Sequence, residues 1–180
     1  MDLTKYLPNI PDEYRMLLAA AFTMAENAGN IHMKYFRKAG LEQTTKLNDS
    51  DVVTIADKES EASILFFIHE RFPSHGIISE ESGREHDSRE WRWVVDPLDG
   101  TTNFAMGLPA FCVSIALEHN KETILGVVYV PYLGECFYAV KGMGAWLNGN
   151  PIHCSDKSEL SKAVVATGMP YAVSYTHLTL

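Results

Sequence analysis

The sequence predicts an α+β fold in which two N-terminal helices pack on a largely antiparallel sheet. Two observations carry this. Apolar residues recur at three- and four-residue steps as far as Arg71, and after Gly76 short β-type runs alternate with Gly- and Asn-containing breaks. With 180 residues, 46% of them hydrophobic and 21% charged, the chain can bury a genuine core.

The first helix is expected over residues 11–38, where Met16, Leu17, Ala20, Ala21, Met24, Ala28, Ile31 and Tyr35 form one stripe. Pro11 suits its start and Gly40 its end. The polar stretch 42–51 reads as a loop. A second helix is expected over residues 56–71, with Ile64, Phe67 and Ile68 inward and Lys58, Glu59, Glu61 and Glu70 outward. Phe72-Pro73-Ser74-His75-Gly76 ends it. Strands are expected at Ile77-Ile78, Trp93-Val94-Val95, 111–117, 123–130, 136–140 and 163–166. Tyr132-Leu133-Gly134 and Lys141-Gly142-Met143-Gly144 supply hairpin turns.

Charge narrows the function. Lys and Arg number 15 against 23 Asp and Glu, a formal net charge of -8, which excludes a general nucleic-acid binder. A small anionic substrate would need locally concentrated positive charge, and in an acidic chain a bound cation is its best source. Cys112, Cys136 and Cys154 are odd in number and form no C-x-x-C pattern, so neither disulfides nor zinc are expected, and a reducing cytoplasm fits. Neither a signal sequence nor an apolar run of about 18 residues occurs, so no membrane association is expected. The seven histidines lack zinc-site spacing and are assigned surface or local structural roles. Cys112 is expected to be a small core residue, and Trp91, Trp93 and Trp146 to be packing residues.

The informative carboxylates sit at the ends of apolar runs. Asp51 and Asp57 flank the start of the second helix, Glu80 and Glu81 follow Ile77-Ile78, and Asp96 and Asp99 follow Trp93-Val94-Val95. Strand ends project into clefts, so separate stretches can gather hard oxygen ligands of the kind magnesium takes. In Asp96-Pro97-Leu98-Asp99-Gly100-Thr101-Thr102-Asn103-Phe104, Asp96 is expected to end a strand, and Pro97 to turn the chain so that Asp96, Asp99 and the Leu98 carbonyl aim at one place. If Thr101 and Thr102 open a short helix, the amides of Gly100, Thr101 and Thr102 make a seat for phosphate. Taken alone, D-P-x-D-G is equally a good turn, and adjacent glutamates are usually solvated.

Together, the segments 51–57, Ile78-Ser79-Glu80-Glu81-Ser82 and 93–104 resemble the inositol monophosphatase family in order and spacing, and the likeness continues through Gly126-Val127-Val128-Tyr129, Gly142-Met143-Gly144-Ala145 and Asn148-Gly149. The resemblance implies the sugar-phosphatase fold and hydrolysis of a phosphate monoester, most simply inositol monophosphate. Fructose bisphosphate, adenosine 3′,5′-bisphosphate and histidinol phosphate remain as alternatives, as does a non-catalytic metal-binding or interaction role. It implies two or three Mg2+ ions, inhibition by lithium, and a homodimer in the full-length form. Glu80, Asp96 and the Leu98 carbonyl would hold one ion, Asp96 and Asp99 a second, and Glu80 would face a third. Asp57 and Thr101 would orient and deprotonate the attacking water, the Gly100 and Thr101 amides would hold phosphate oxygens with Thr102 beside them, and Lys46 would lie in a loop near the metals. Such ions meet both needs of the reaction, a lowered pKa for water and neutralised charge on phosphorus oxygens.

Family members usually continue beyond this length with a W-D-x-A-x-G-like segment, which is absent here. The expectation is therefore an N-terminal α+β domain over residues 1–171 without the C-terminal α/β half, and a tail over 172–180 that is foreign or out of frame.

Overall fold

The computed structural model describes residues 10–38, 43–45, 52–86 and 89–165. Helix α1 (Asp12–Tyr35) starts just after Pro11, whose backbone is still extended and whose carbonyl receives the amides of Tyr14 and Arg15. A two-stranded hairpin, β1 (Gln43–Thr45) with β2 (Val52–Thr54), leads into α2 (Ile55–Arg71). Then follow β3 (Gly76–Ser79), β4 (Gly83–Glu85), β5 (Trp91–Asp99), the short helix α3 (Thr101–Ala105), β6 (Cys112–His119), β7 (Glu122–Val130), β8 (Glu135–Val140), β9 (Gly144–Leu147) and β10 (Asn150–Ile152).

The eight-stranded sheet has the order β10-β9-β8-β7-β6-β5-β3-β4. Every neighbouring pair is antiparallel except β3 with β5, which run parallel from Gly76↔Arg92 to Ser79↔Val95. The α+β expectation therefore holds, with helices α1 and α2 on one face of the sheet. Alternation along β6 sends Val113, Ile115 and Leu117 into that interface. They meet Leu18, Ala21 and Phe22 of α1 and Ile64 and Ile68 of α2 in one core, to which Trp93 of β5 contributes a fully buried indole. Each buried Leu, Ile, Val or Phe side chain here stabilises the fold by about 1.5–3 kcal/mol through removal from water. The opposite face is lined by small residues, Ser114, Ala116, Gly126, Ala139 and Ala145 among them, around a shallow apolar depression of about 270 Å3. No described helix is long and apolar enough to cross a membrane.

Close approach of α1 to β7 depends on Gly29, where a Cβ would lie 2.5 Å from the Tyr129 ring. Gly29→Ala should lower stability by about 1–2 kcal/mol, because overpacking outweighs the helix-propensity gain. A urea midpoint at or above the parent's would show that the ring makes room.

Several local expectations are corrected. The polar stretch expected as a loop contains β1, because backbone pairing with β2 needs no apolar side chains. Residues 163–165 form no strand and follow a 3-10 turn at Leu160–Lys162; Val164 and Val165 are exposed. Met16 is 67% exposed on the far side of the α1 stripe. Glu61 does not point away from the fold, since it accepts hydrogen bonds from the Ser79 hydroxyl and the Ser82 amide at 2.9 Å. Nor does Asp96 end a strand: β5 runs on through Pro97 to Asp99. Its register against β6 breaks between Asp96 and Asp99, and a bulge of this kind tolerates a residue without an N–H. Gly40, Lys46, Asp51 and the tail 172–180 lie outside the described residues.

Candidate active site

Three termini meet at the end of the β3–β5 pair. The Glu80 amide donates to the Val95 carbonyl at 3.1 Å, which ties the residue after β3 to the residue before Asp96. Asp96 is half-buried, and Asp99 and Glu80 are exposed. Burial, a hydrogen bond and like charge from Glu80, and the charge of Asp99 push the Asp96 carboxyl up to about 8, while the Leu98 amide at 3.2 Å pulls the other way. A carboxyl that keeps its proton at neutral pH among other acids lacks a compensating cation, and a divalent ion is the natural one. The donor set of carboxylates and the Leu98 carbonyl is hard oxygen throughout and fits magnesium. Even so, no three His, Cys, Asp or Glu side chains among the described residues are gathered closely enough to enclose an ion. Glu80 and Asp99 each lie within electrostatic reach of Asp96 without forming a closed cage.

Asp57 is buried at the first turn of α2. Its Oδ2 accepts from the Thr54 hydroxyl at 2.6 Å and from the Thr54 amide at 2.8 Å, the latter completing a capping box in which Thr54 Oγ1 accepts a backbone N–H of the first turn. Its Oδ1 accepts from the Thr101 hydroxyl at 2.8 Å. Burial raises the Asp57 carboxyl above the usual range, and the hydrogen bonds from Thr54 and Thr101 oppose that rise. The Leu98 carbonyl lies 2.9 Å from the same Thr101 hydroxyl, which has a single proton. The charge-assisted bond to Asp57 is the stronger, so the Leu98 oxygen keeps lone pairs for another partner.

Gly100 opens α3 with φ 87, a left-handed conformation. A Cβ there would stand 2.7 Å from the Ala110 carbonyl oxygen, so this position admits only glycine without backbone movement. The first amides of α3, at Thr101 and Thr102, have no acceptor within the helix.

Two neighbours were not foreseen. Cys112 is half-buried beside the site rather than in the core, its Sγ 3.7 Å from Asp99 Oδ2. Burial and the charges of Asp99 and Asp96 push its thiol up to about 12, which leaves it protonated and unreactive. His32 is fully buried on α1 and contacts the Pro97 carbonyl at 2.9 Å. Burial lowers its pKa to about 4 against the raising effect of that bond, so it is neutral at pH 7. The signal was present in its place on the buried stripe with Leu18, Ala21, Ala25 and Ala28, where a polar ring needs a partner.

The profile of the inositol monophosphatase family matches residues 13–177. Over 156 residues the chain is 43% identical to the Nus factor SuhB of Pasteurella multocida, covering 86% of this chain and 58% of that protein. It is 36% identical over 159 residues to the fructose-1,6-bisphosphatase/inositol-1-monophosphatase of Aquifex aeolicus, covering 88% and 60%. Among solved structures, the extragenic suppressor protein SuhB of Bartonella henselae superposes with a TM-score of 0.82 at 35% identity, over 88% of this chain and 62% of that one. The chain thus spans less than two thirds of the length of these relatives. A profile match over most of its length, with the fold shared at this identity, means that the chain belongs to the inositol monophosphatase family.

Proposed function

We propose that this chain carries the catalytic motifs of a magnesium-dependent phosphate-monoester hydrolase acting on a polyol or sugar phosphate, with inositol monophosphate the leading substrate. The observation that carries the reading is the juxtaposition of the Glu80, Asp96 and Asp99 carboxylates with the Asp57–Thr101 hydrogen bond at the opening of α3. The Aquifex relative, named for both fructose-1,6-bisphosphatase and inositol-1-monophosphatase activity, supports the substrate class.

In this reading Glu80, Asp96, Asp99 and the Leu98 carbonyl hold magnesium, which when bound supplies charge neutralisation and a more acidic water. Thr101 Oγ1, its proton committed to Asp57 Oδ1, presents lone pairs that accept from a water and orient it. Asp57, held by Thr54, receives the proton passed through Thr101. The amides of Gly100, Thr101 and Thr102 face the phosphate oxygens, and Gly100 lets backbone come close. Lys46 is assigned to the same pocket on the strength of the family likeness.

Phosphate release from inositol monophosphate, fructose 1,6-bisphosphate, adenosine 3′,5′-bisphosphate and histidinol phosphate tests this, with and without Mg2+. The Aquifex relative serves as the positive control. Release by this chain only with Mg2+, and suppressed by Li+, is expected. Absence of release where the control turns over would withdraw the hydrolase reading for this chain. It would favour the second one, a non-catalytic interaction role, which the name Nus factor of the 43%-identical relative supports.

A further inference from the structure

We propose that His32 is a positioning residue for the candidate metal site. By donating from Nε2 to the Pro97 carbonyl it fixes the plane of the Pro97–Leu98 peptide, and with it the Asp96 carboxylate and the Leu98 carbonyl. The inference rests on the metal-dependent reading above.

The Pro97 carbonyl is buried and has no place in either neighbouring ladder. Asp96 pairs with Ser114 and Asp99 with Cys112, so Pro97 and Leu98 together oppose the single residue Val113. On the other side, pairing with β3 ends at Ser79↔Val95. A buried carbonyl without a donor costs about 1–3 kcal/mol, and His32 is the donor supplied, 65 residues away in sequence. A carbonyl only accepts, so the ring carries its proton on Nε2. Nδ1 is then left buried without a partner. An aliphatic side chain would suit the surrounding rings better, Phe104 and Phe111 lying edge-on to the imidazole at 6.0 and 5.8 Å. Packing alone gives no reason for histidine here; the hydrogen bond does.

A trans peptide is a rigid plane with C=O at one end and N–H at the other. Here the C=O end is held by His32, and the N–H end, at Leu98, donates to Asp96 Oδ1 at 3.2 Å. Rotating the plane to free the carbonyl would swing the amide away from Asp96. It would also turn the next carbonyl, that of Leu98, away from its place 2.9 Å from Thr101 Oγ1. His32 thus acts on two candidate ligands without touching an ion.

The test compares the parent chain with H32L, which removes the donor, and H32Q, whose amide can reach the same carbonyl. Three quantities are measured: the calorimetric Mg2+ dissociation constant, hydrogen exchange of the Leu98 amide without metal, and the urea midpoint. H32L is expected to weaken Mg2+ at least tenfold and to speed Leu98 exchange at least tenfold, with H32Q within threefold of the parent on both. Affinity and exchange in H32L within twofold of the parent's, whatever the urea midpoint does, overturn the proposal while leaving the metal reading intact. If the parent binds no Mg2+, the metal reading fails and Leu98 exchange alone decides: unchanged in H32L, it overturns the proposal; tenfold faster, it upholds the coupling of His32 to Asp96. Should H32L not fold, H32N takes its place, being polar but too short to reach the carbonyl.

Discussion

Asp96→Asn is expected to abolish magnesium-dependent phosphate release, a loss on the order of a thousandfold, since several kcal/mol of charge stabilisation disappear with one ligand. The opposite effect is expected on the metal-free fold. The Asp96 carboxyl is raised to about 8 by burial, Glu80 and Asp99. Because its folded pKa lies above the unfolded one, its contribution to stability is present below about pH 4 and is lost as pH rises through about 8. The metal-free parent should therefore be less stable at pH 9 than at pH 5 on account of this group, and Mg2+ should restore the difference. Asparagine carries no charge, so the variant should lose both this pH dependence and the stabilisation by Mg2+. Thermal midpoints at the two pH values, with and without Mg2+, check this. A variant that still gains stability from Mg2+ as the parent does removes Asp96 from the metal site.

Gly100→Ala is expected to have the largest effect on folding. Both obstacles are backbone: φ is 87, and the new Cβ would stand 2.7 Å from the Ala110 carbonyl oxygen and 3.3 Å from Phe111 Cα. Strain and overpacking together should cost about 2–4 kcal/mol, which lowers the melting midpoint by roughly 5–15 °C for a chain of this size. Activity should fall further than stability, because relief of the clash moves Asp99 and Thr101 on either side. Kinetics well below the melting transition separate the two effects. Full activity there would mean that the Gly100 turn is needed for the fold and not for the reaction.

What was legible in the sequence followed from periodicity and from local chemistry. The α1 stripe gave the helix almost to its ends, and the apolar runs at 111–117 and 123–130 gave the strands β6 and β7. Asp57, Glu80, Asp96 and Asp99 were singled out by expected positions at element ends; β5 in fact runs on past Asp96, and Glu80 and Asp99 each lie within electrostatic reach of Asp96. What escaped depends on contacts between distant residues. The β1–β2 hairpin pairs the polar segment Gln43–Thr45 with Val52–Thr54 through the backbone, and β1 itself leaves no apolar signature. The passage of β5 through Pro97 depends on a donor from α1, and no window around Pro97 contains His32. Cys112 looked like core because its strand is apolar, but its side falls on the face of the sheet away from the helices.

The direction of one four-residue strand determines whether the acids can share an ion at all. Ser79 and Val95 lie side by side on strands with the same heading, so the chain leaves β3 at Glu80 just where β5 reaches Asp96. Were that short segment inverted in place, Glu80 would emerge at the opposite edge, roughly 15 Å away at about 3.3 Å per residue. Same-heading neighbours cannot be joined by a tight turn, and β4, antiparallel to β3, carries the chain back along the sheet before β5 begins. Trimming that return path would separate the two carboxylates without altering either one.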